Sequence, residues 1–520
     1  MLTIEAECRP PWPGVTRAAW ATSPARAAEE DRGPALRLVL PQAAWAGRPA
    51  MPRSAAEGTL AHGPLHLQGL PGQVLLLVPG LQPGPPQRLP SAPPMLARHA
   101  LAGVAPAPGA KPQTVRPKAL ALAWHALEGE SAPADDLAWE RWLARHAPAF
   151  RLACDSLVPD VVVLWWPAAG TPRAWLRTGS LWARLQGLAQ PPLPTWQAVQ
   201  RLDLSGAGMA RWDLHTEAQA PAPAATALRY SRLAAALGDA PLARLQQCTV
   251  GLIGANPLGS FVGHSLARMG VPLRVLDAAA MTAEDQDGDL SPWMEGQPRS
   301  LALRHPLTAL LRPGAGIDAR ALSAASPAAG QLLADVDLLV CCSPDAADRA
   351  WANALALALL KPLLALDMRV QAAVPSLPAQ PERQEVRPAP EQLQAEAHLQ
   401  LIPPGTGCLD CLPLRWTLPA SPSPAALRSW SGLTAHAGLR LLEQMVQGRH
   451  SGPRLRRLLD GHTPHGPQPF SLQVQDLSAP RLRGQPCATC AALTGAGLGA
   501  ARGWTSCAPV HNQLQGGGSA

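Results

Sequence analysis

Four of the ten cysteines fall into two C-x-x-C pairs, Cys408/Cys411 and Cys487/Cys490, with 75 residues between the pairs. Each pair is a chelating knuckle, and two knuckles supply the four thiolates that a tetrahedral Zn²⁺ takes. Such a site staples two distant parts of one domain, so the chain must fold these stretches together. A four-thiolate shell is closed, which makes the role structural rather than catalytic. The plain alternative is four buried or free thiols. Ten cysteines in 520 residues are too sparse for a disulfide scaffold.

Other classes are excluded by composition. The hydrophobic fraction of 47% is ordinary for a folded chain, despite 59 prolines and 44 glycines. The length suggests two to four domains on a prior of about 100–200 residues each. A net charge of +7 is modest for this length, and no dense basic run with interleaved aromatics occurs, so nucleic acid is not an expected partner. Lysine is scarce, with only Lys111, Lys118 and Lys361, and Tyr230 is the lone tyrosine. GC-rich codon usage of a bacterial genome accounts for that bias. No signal peptide is visible at the N-terminus, where Glu5 and Glu7 interrupt any apolar core. The longest apolar stretch, 354–366, is broken by Lys361 and Pro362 and is too short to span a bilayer. The expectation is a cytoplasmic protein with no membrane partner.

Residues 1–215 hold 12 of the 17 tryptophans and carry strand-like runs such as Gln73–Val78 and Val161–Trp166, with a helical pattern near Asp136–Arg145. They are expected to form an N-terminal accessory domain of α+β type. An Ala/Pro-rich linker is expected at 216–225, a second domain at 226–495, and a flexible tail at 496–520. In the second domain a strand at Thr249–Ile253 meets the turn GANPLGS at 254–260. A helix at Phe261–Met269 and a short strand, Leu273–Leu276, follow, ending in Asp277. Strand, turn, helix, strand and acid form the βαβ pattern of a nucleotide-binding unit. A buried-looking strand at Val336–Cys342 then ends at Ser343-Pro344-Asp345. A helix, Ala346–Leu360, and a strand, Pro362–Leu366, come next. Strands alternating with helices argue for a mostly parallel sheet covered on both faces. Residues 372–395 read as a crossing loop. Strand His398–Ile402, helix Leu433–Val446 and strand Phe470–Val474 complete the domain.

Several residues stand out chemically. Gly254 and Gly259 sit in a turn whose amides can cradle phosphates at a helix N-terminus, although Pro257 removes one donor. Read blandly, this is a tight turn without a ligand. Asp277 lies 23 residues after Gly254, the distance of a ribose-binding acid. Asp345 stands at a strand's C-terminal end, where open α/β sheets bind ligands, and reads equally well as a helix N-cap. Arg229 and Arg232 flank Tyr230 in RYSR, either as phosphate clamps or as solvent-exposed helix charges.

In order along the chain, RYSR at 229–232, the glycine turn at 254–260, LDAAA at 276–280, GQPR at 296–299, LLVCCSPDAADR at 338–349 and the two C-x-x-C pairs resemble the ThiF/MoeB superfamily. That superfamily includes the ubiquitin-activating enzymes, and the likeness covers about 225–492. The resemblance implies an α/β fold with a Rossmann-like, ThiF-type domain, a mostly parallel sheet and a four-cysteine zinc knuckle. It implies a dimeric adenylyltransferase that uses ATP and Mg²⁺ on the C-terminal carboxylate of a ubiquitin-like or sulfur-carrier protein, or of a precursor peptide. It also implies roles. Arg232 would reach phosphates across a dimer interface, Asp277 would bind ribose, Arg299 would stand in for a phosphate-binding lysine, and Asp345 would associate with Mg²⁺.

The chain also departs from the pattern. The family's S-N-L-x-R-Q arginine is replaced by the acidic stretch TAEDQDGDLSP, and the crossing loop has no cysteine for a thioester. Adenylation without a thioester is one reading of this. The alternative is a catalytically degenerate ThiF-like binding module that partners a modification enzyme. An NAD(P)-dependent oxidoreductase would explain the βαβ unit but neither the zinc pairs nor GQPR. In the N-terminal domain, Leu75–Pro86 resembles the strand and proline-rich segment of ubiquitin-conjugating folds, with Cys154 as the acceptor that fold would require. A buried structural cysteine is the favoured reading of Cys154.

Overall fold

The computed structural model describes residues 34–42, 59–70, 73–83, 119–126, 130–147, 158–167, 171–188, 193–214, 224–287, 289–311, 315–372, 393–412, 428–450, 452–460, 475–477 and 487–497. Cys154, most of the expected linker, most of the crossing loop, the Phe470–Val474 strand, the proline-rich end of Leu75–Pro86 and most of the tail lie outside them.

Two sheets form the N-terminal part. Their strands are β1 (Ala35–Pro41), β2 (Thr59–Pro64), β3 (His66–Leu70), β4 (Gln73–Leu77), β5 (Gln82–Pro83), β6 (Ala119–His125), β7 (Asp160–Trp166), β8 (Arg173–Arg177), β9 (Trp196–Ala198), β10 (Arg201–Ser205) and β11 (Ala210–Asp213). One sheet has the order β11-β10-β1-β4-β3 and the other β5-β2-β6-β7-β8-β9. Side chains alternate across each strand, so each sheet offers two apolar faces. Leu36, Leu38 and Leu40 of β1 meet Ala119, Ala121 and Ala123 of β6 between the sheets. On the far face of the second sheet, Leu120, Leu122 and Trp124 pack on Trp139, Trp142 and Leu143 of helix α1 (Asp136–His146). A short helix, α2 (Ser180–Leu185), is capped by the buried Asp160, which accepts amides from Gly179, Leu181 and Trp182.

After residue 223 the chain forms helices α3 (Ala224–Leu237) and α4 (Asp239–Gln247) and then an eight-stranded sheet. Its strands are β12 (Val250–Ile253), β13 (Leu273–Leu276), β14 (Ile317–Arg320), β15 (Leu338–Cys341), β16 (Leu363–Ala372), β17 (Leu393–Ile402), β18 (Arg454–Asp460) and β19 (Gln475–Leu477). They lie in the order β14-β13-β12-β15-β16-β17-β18-β19. The first five run parallel and the last three add antiparallel. The order runs outward one way from β12 to β14 and the other way from β15, so it reverses between β12 and β15.

Both faces of this sheet are buried, as the unbroken apolar strands require. Val250 and Leu252 of β12 face α5 (Pro257–Arg268), α6 (Arg299–Leu310) and α9 (Arg428–Val446). Ile253, Leu339 and Ala365 face α7 (Pro327–Ala334) and α8 (Ala346–Ala358). Val39, Leu75 and Leu77, on the outer face of the first N-terminal sheet, join that second core. The two parts are therefore stacked against each other. Helix α3 begins at Ala224, inside the stretch expected as linker. Tyr230 is buried on α3, and its ring packs so closely on Gly270 that a Cβ there would meet the hydroxyl at 2.6 Å.

Candidate functional site

The reversal between β12 and β15 opens a crevice at the C-terminal ends of the strands, where ligands of open α/β sheets bind. The chain leaves β12 through Gly254, which has φ +90° and a left-handed conformation that only glycine adopts without strain. A Cβ on Gly254 would lie 2.7 Å from the Ser343 amide nitrogen, and one on Gly259 would lie 2.0 Å from the Gly254 carbonyl oxygen. Gly254 is thus demanded by the backbone that follows β15, and Gly259 by the close approach of α5 to the turn that leaves β12. Gly259→Ala is expected to destabilise the fold by about 3 kcal/mol, the upper range for forced overpacking. A urea midpoint equal to wild type would refute this close approach.

Helix α5 starts at Pro257, four residues before the expected Phe261. Asn256 is its N-cap and accepts the Gly259 amide at 2.9 Å, and Pro257 fills the first helical position, where no amide is needed. The Asn256 side-chain amide also donates to the Cys342 carbonyl at 2.9 Å, which ties the helix to β15. This Asn-Pro signature was legible in the sequence. It sets the helix start that apolar periodicity alone misplaces.

Asp277 ends β13 with both carboxylate oxygens engaged, accepting the Ala255 amide at 2.7 Å and the Ala279 amide at 2.8 Å. Asp345 is exposed at the N-cap of α8 and accepts the Ala347 amide at 2.7 Å. The cap reading of Asp345 is therefore correct as geometry, and it leaves the carboxylate's remaining lone pairs facing solvent. Asp348, which the motif reading passed over, is half-buried one turn along α8 and accepts the Ser343 hydroxyl at 2.7 Å. Burial raises the Asp348 carboxyl above its ordinary range, and the charges of Asp345 and Asp277 add to the rise. Its spacing of three residues from Asp345 on one helix was the signal available.

The arginines are placed differently. Arg299 starts α6, and its Nε donates to Asp285 at 2.7 Å. Asp285 is buried and also takes the Thr282 amide at 2.9 Å. The acidic stretch 282–292 thus holds Arg299. Asp289 of the same stretch pairs with Arg428 at 2.5 Å. Arg229 caps the end of α6 by donating to the carbonyls of Leu310 and Leu311. Arg232 is exposed on α3.

The four predicted cysteines meet. Their sulfurs all lie within 4.8 Å of one another, with Cys408–Cys487 at 3.4 Å, Cys408–Cys411 at 3.8 Å and Cys411–Cys490 at 3.7 Å. A tetrahedron with metal–sulfur bonds of about 2.3 Å has sulfur–sulfur edges of about 3.8 Å, so the cluster fits a tetrathiolate metal. Cys487 caps the short helix α10 (Ala488–Leu493), and its sulfur accepts the Cys490 amide at 3.4 Å. Thr489 donates to Asp410 at 2.6 Å, linking the knuckles, and the Leu409 amide donates to Asn353 of α8 at 3.0 Å.

Several solved structures are similar to part of the chain. The microcin C7 biosynthetic enzyme MccB in complex with N-formylated MccA is 14% identical, with 50% of this chain and 74% of that one covered at a TM-score of 0.37. E. coli MccB with ATP is 15% identical, with 50% and 74% covered at 0.37. Selenomethionine PaaA is 12% identical, with 50% and 76% covered at 0.36. No protein-family model and no curated protein matches the chain. The likeness is partial, and nothing about the site is taken from it. Among the described residues, no helix is long and apolar enough to cross a membrane.

Proposed function

We propose that residues 226–495 form a Rossmann-like, ThiF-type domain that adenylates the C-terminal carboxylate of a peptide or small carrier protein with ATP·Mg²⁺. The observation that supports this best is the placing of Asp277 on one side of the strand-order reversal and of Asp345 and Asp348 on the other. In this reading Asp277, already oriented by two amides, accepts the ribose hydroxyls. Asp345 and Asp348 would hold Mg²⁺, whose charge would offset the burial and the neighbouring carboxylates that raise Asp348. The substrate carboxylate attacks the α-phosphorus, the bond to the bridging oxygen breaks, and pyrophosphate leaves. The chain contributes position and charge rather than covalent chemistry. Arg232 is free to reach a second copy of the chain in a homodimer, and Gly254 and Gly259 let the backbone approach the ligand. Zinc in the cysteine cluster has a structural part only.

One observation favours a second reading, the non-catalytic binding module. The Ala255 and Gly259 amides are taken by Asp277 and Asn256, and Arg299 is taken by Asp285. Those groups are the ones a phosphate would need. A thermal shift decides between the readings. ATP·Mg²⁺ at about one hundred times its Kd should stabilise the enzyme by about 2.7 kcal/mol, and Asp277→Ala or Asp345→Ala should remove that gain. ATP–pyrophosphate exchange should appear on adding a carboxylate substrate. An unmoved melting temperature and no exchange would leave the binding module as the function.

A further inference from the structure

At the opposite end of the eight-stranded sheet, the chain enters β12, β15 and β16 against the first N-terminal sheet. A cleft between them is lined by Lys361, Arg244, Ser205, Arg37, Arg211 and two carboxylates, Asp203 and Asp337. Arg37 and Arg211 are each paired with both carboxylates. The other polar groups are not balanced. Lys361 is 5% exposed, and its ammonium makes one hydrogen bond among the described residues, to the Val336 carbonyl. Two of its N–H groups have no partner among the described residues. Arg244 donates to the Gly208 carbonyl at 3.0 Å and has no carboxylate partner among the described residues. Ser205 is 6% exposed, and its hydroxyl has no partner among the described residues.

The backbone aims Lys361 inward at a local penalty. Helix α8 ends with the Leu360 amide bonded to the Leu357 carbonyl and the Lys361 amide bonded to the Ala356 carbonyl. That closing turn normally places glycine in the left-handed region, and here Leu360 occupies it at φ +54°. A buried ammonium without a direct ion pair is unfavourable, and although Asp337, Asp335 and Asp203 lie near enough to favour the charged form of Lys361, burial and Arg37 outweigh them; Arg244, a second cation without a carboxylate partner among the described residues, lines the same cleft. With Arg201 and Asp335, which join the same ion-pair cluster, the cations still outnumber the carboxylates among the described residues, so the site is short of negative charge.

We propose that this cleft is a binding site for a compact dianionic oxyanion, either free phosphate or the phosphate group of a larger ligand, held by Lys361, Arg244 and the Ser205 hydroxyl. The ligand supplies the missing charge and accepts the unused donors. The depressed pKa of Lys361, about 7 through burial and the nearby Arg37, is that of the empty site, and a bound dianion returns it upward. The site is remote from the strand-order reversal and does not depend on adenylation.

Inorganic phosphate, titrated against the full chain in chloride of matched ionic strength, is expected to raise the melting temperature. Lys361→Met and Arg244→Gln should each remove the rise while far-UV circular dichroism stays that of wild type. A rise given by ATP alone, and removed by Lys361→Met, assigns the site to the phosphate group of a larger ligand. No rise with either anion, or a rise that both variants keep, overturns the proposal.

Discussion

Replacing Asp337 by alanine is expected to destabilise the chain by about 3–5 kcal/mol, the loss found when one partner of a buried ion pair is removed. Asp337 is buried just before β15, at the seam between the N-terminal sheets and the eight-stranded sheet. It accepts from Arg37, from Arg201 at 3.0 Å, from Arg211 at 2.7 Å and from the Thr249 amide at 2.8 Å. Without it, three guanidinium groups crowd on Asp203, with only Arg37 also within 3.8 Å of Asp335. Asp335, two residues earlier, is about one-third exposed and pairs with Arg274 at 2.7 Å. Its loss should be worth about 1 kcal/mol or less. Denaturant midpoints of the two variants test the contrast, and equal losses would contradict it.

The pH dependence has a definite sign. Burial alone would raise the Asp337 carboxyl, but Arg37, Arg211 and Arg201 outweigh it and hold it well below the usual carboxylate range. A carboxyl whose folded pKa is depressed stabilises the fold above its unfolded pKa, near 3.8 here. That contribution is lost as pH falls through the folded value. The gap between wild type and Asp337→Asn should therefore be constant from pH 7 to about 5 and close in stronger acid. A gap that widened in acid would refute this role.

The two ends of the sheet differ in how far the sequence discloses them. The C-terminal end is written in local order. A strand, a glycine turn, a helix and an acid lie within one short stretch, and β12, α5 and β13 follow it closely. The cysteine pairs are also legible, because a C-x-x-C knuckle is a local geometric unit and only the meeting of the two units is left to the fold. The N-terminal end is built otherwise. Arg37, Arg201, Asp203, Arg211, Asp337 and Lys361 come from segments as much as 324 residues apart. Each is an ordinary residue in a chain rich in arginine, and charge pairs of this separation leave no periodicity to read. Lysine scarcity pointed to codon usage, while one of the three lysines is the buried Lys361.

The N-terminal sheets show the same limit. β1 pairs with β10 across more than one hundred and fifty residues, and such pairing follows from the packing of whole faces rather than from any turn signal. The tryptophan excess did mark a place. Trp139 stacks on Trp196 at 4.9 Å and meets Trp142 edge-on at 5.7 Å beneath the second sheet. Composition alone could say that these rings were numerous, not that they gather on one helix. Arg299 shows a contact that motif order does not disclose. Its position in GQPR implied a phosphate ligand, and in the structure its Nε donates to Asp285 of the acidic stretch 282–292.

Removing the metal from the cysteine cluster should have the largest effect of all, and one confined to a definite part of the molecule. Structural zinc in small domains is worth about 10–16 kcal/mol. In this chain the large sheet has cores of its own, so the loss falls on what the cluster tethers. That is α10 and the residues after it, whose Gly495 and Gly497 amides donate to the Leu357 and Ala358 carbonyls at the end of α8. Leu412, Ala492 and Leu493 are buried there in one apolar cluster with α8. With the thiolates unbound, four sulfurs within 4.8 Å repel or oxidise, and the Thr489–Asp410 bond, the bonds of Leu409, Gly495 and Gly497 to α8 and this apolar contact are left to hold the knuckles together. Purified protein should carry about one zinc per chain. Chelation, or Cys408→Ser with Cys487→Ser, should lower the melting temperature by about 10 °C or more, a scale of several kcal/mol for a domain this size. Amide exchange should rise first in 487–497 and at the end of α8, while β12, β13 and β15 stay protected. Protein without metal, or a melting temperature indifferent to chelator, would show that the four thiols pack as a buried cluster and staple nothing.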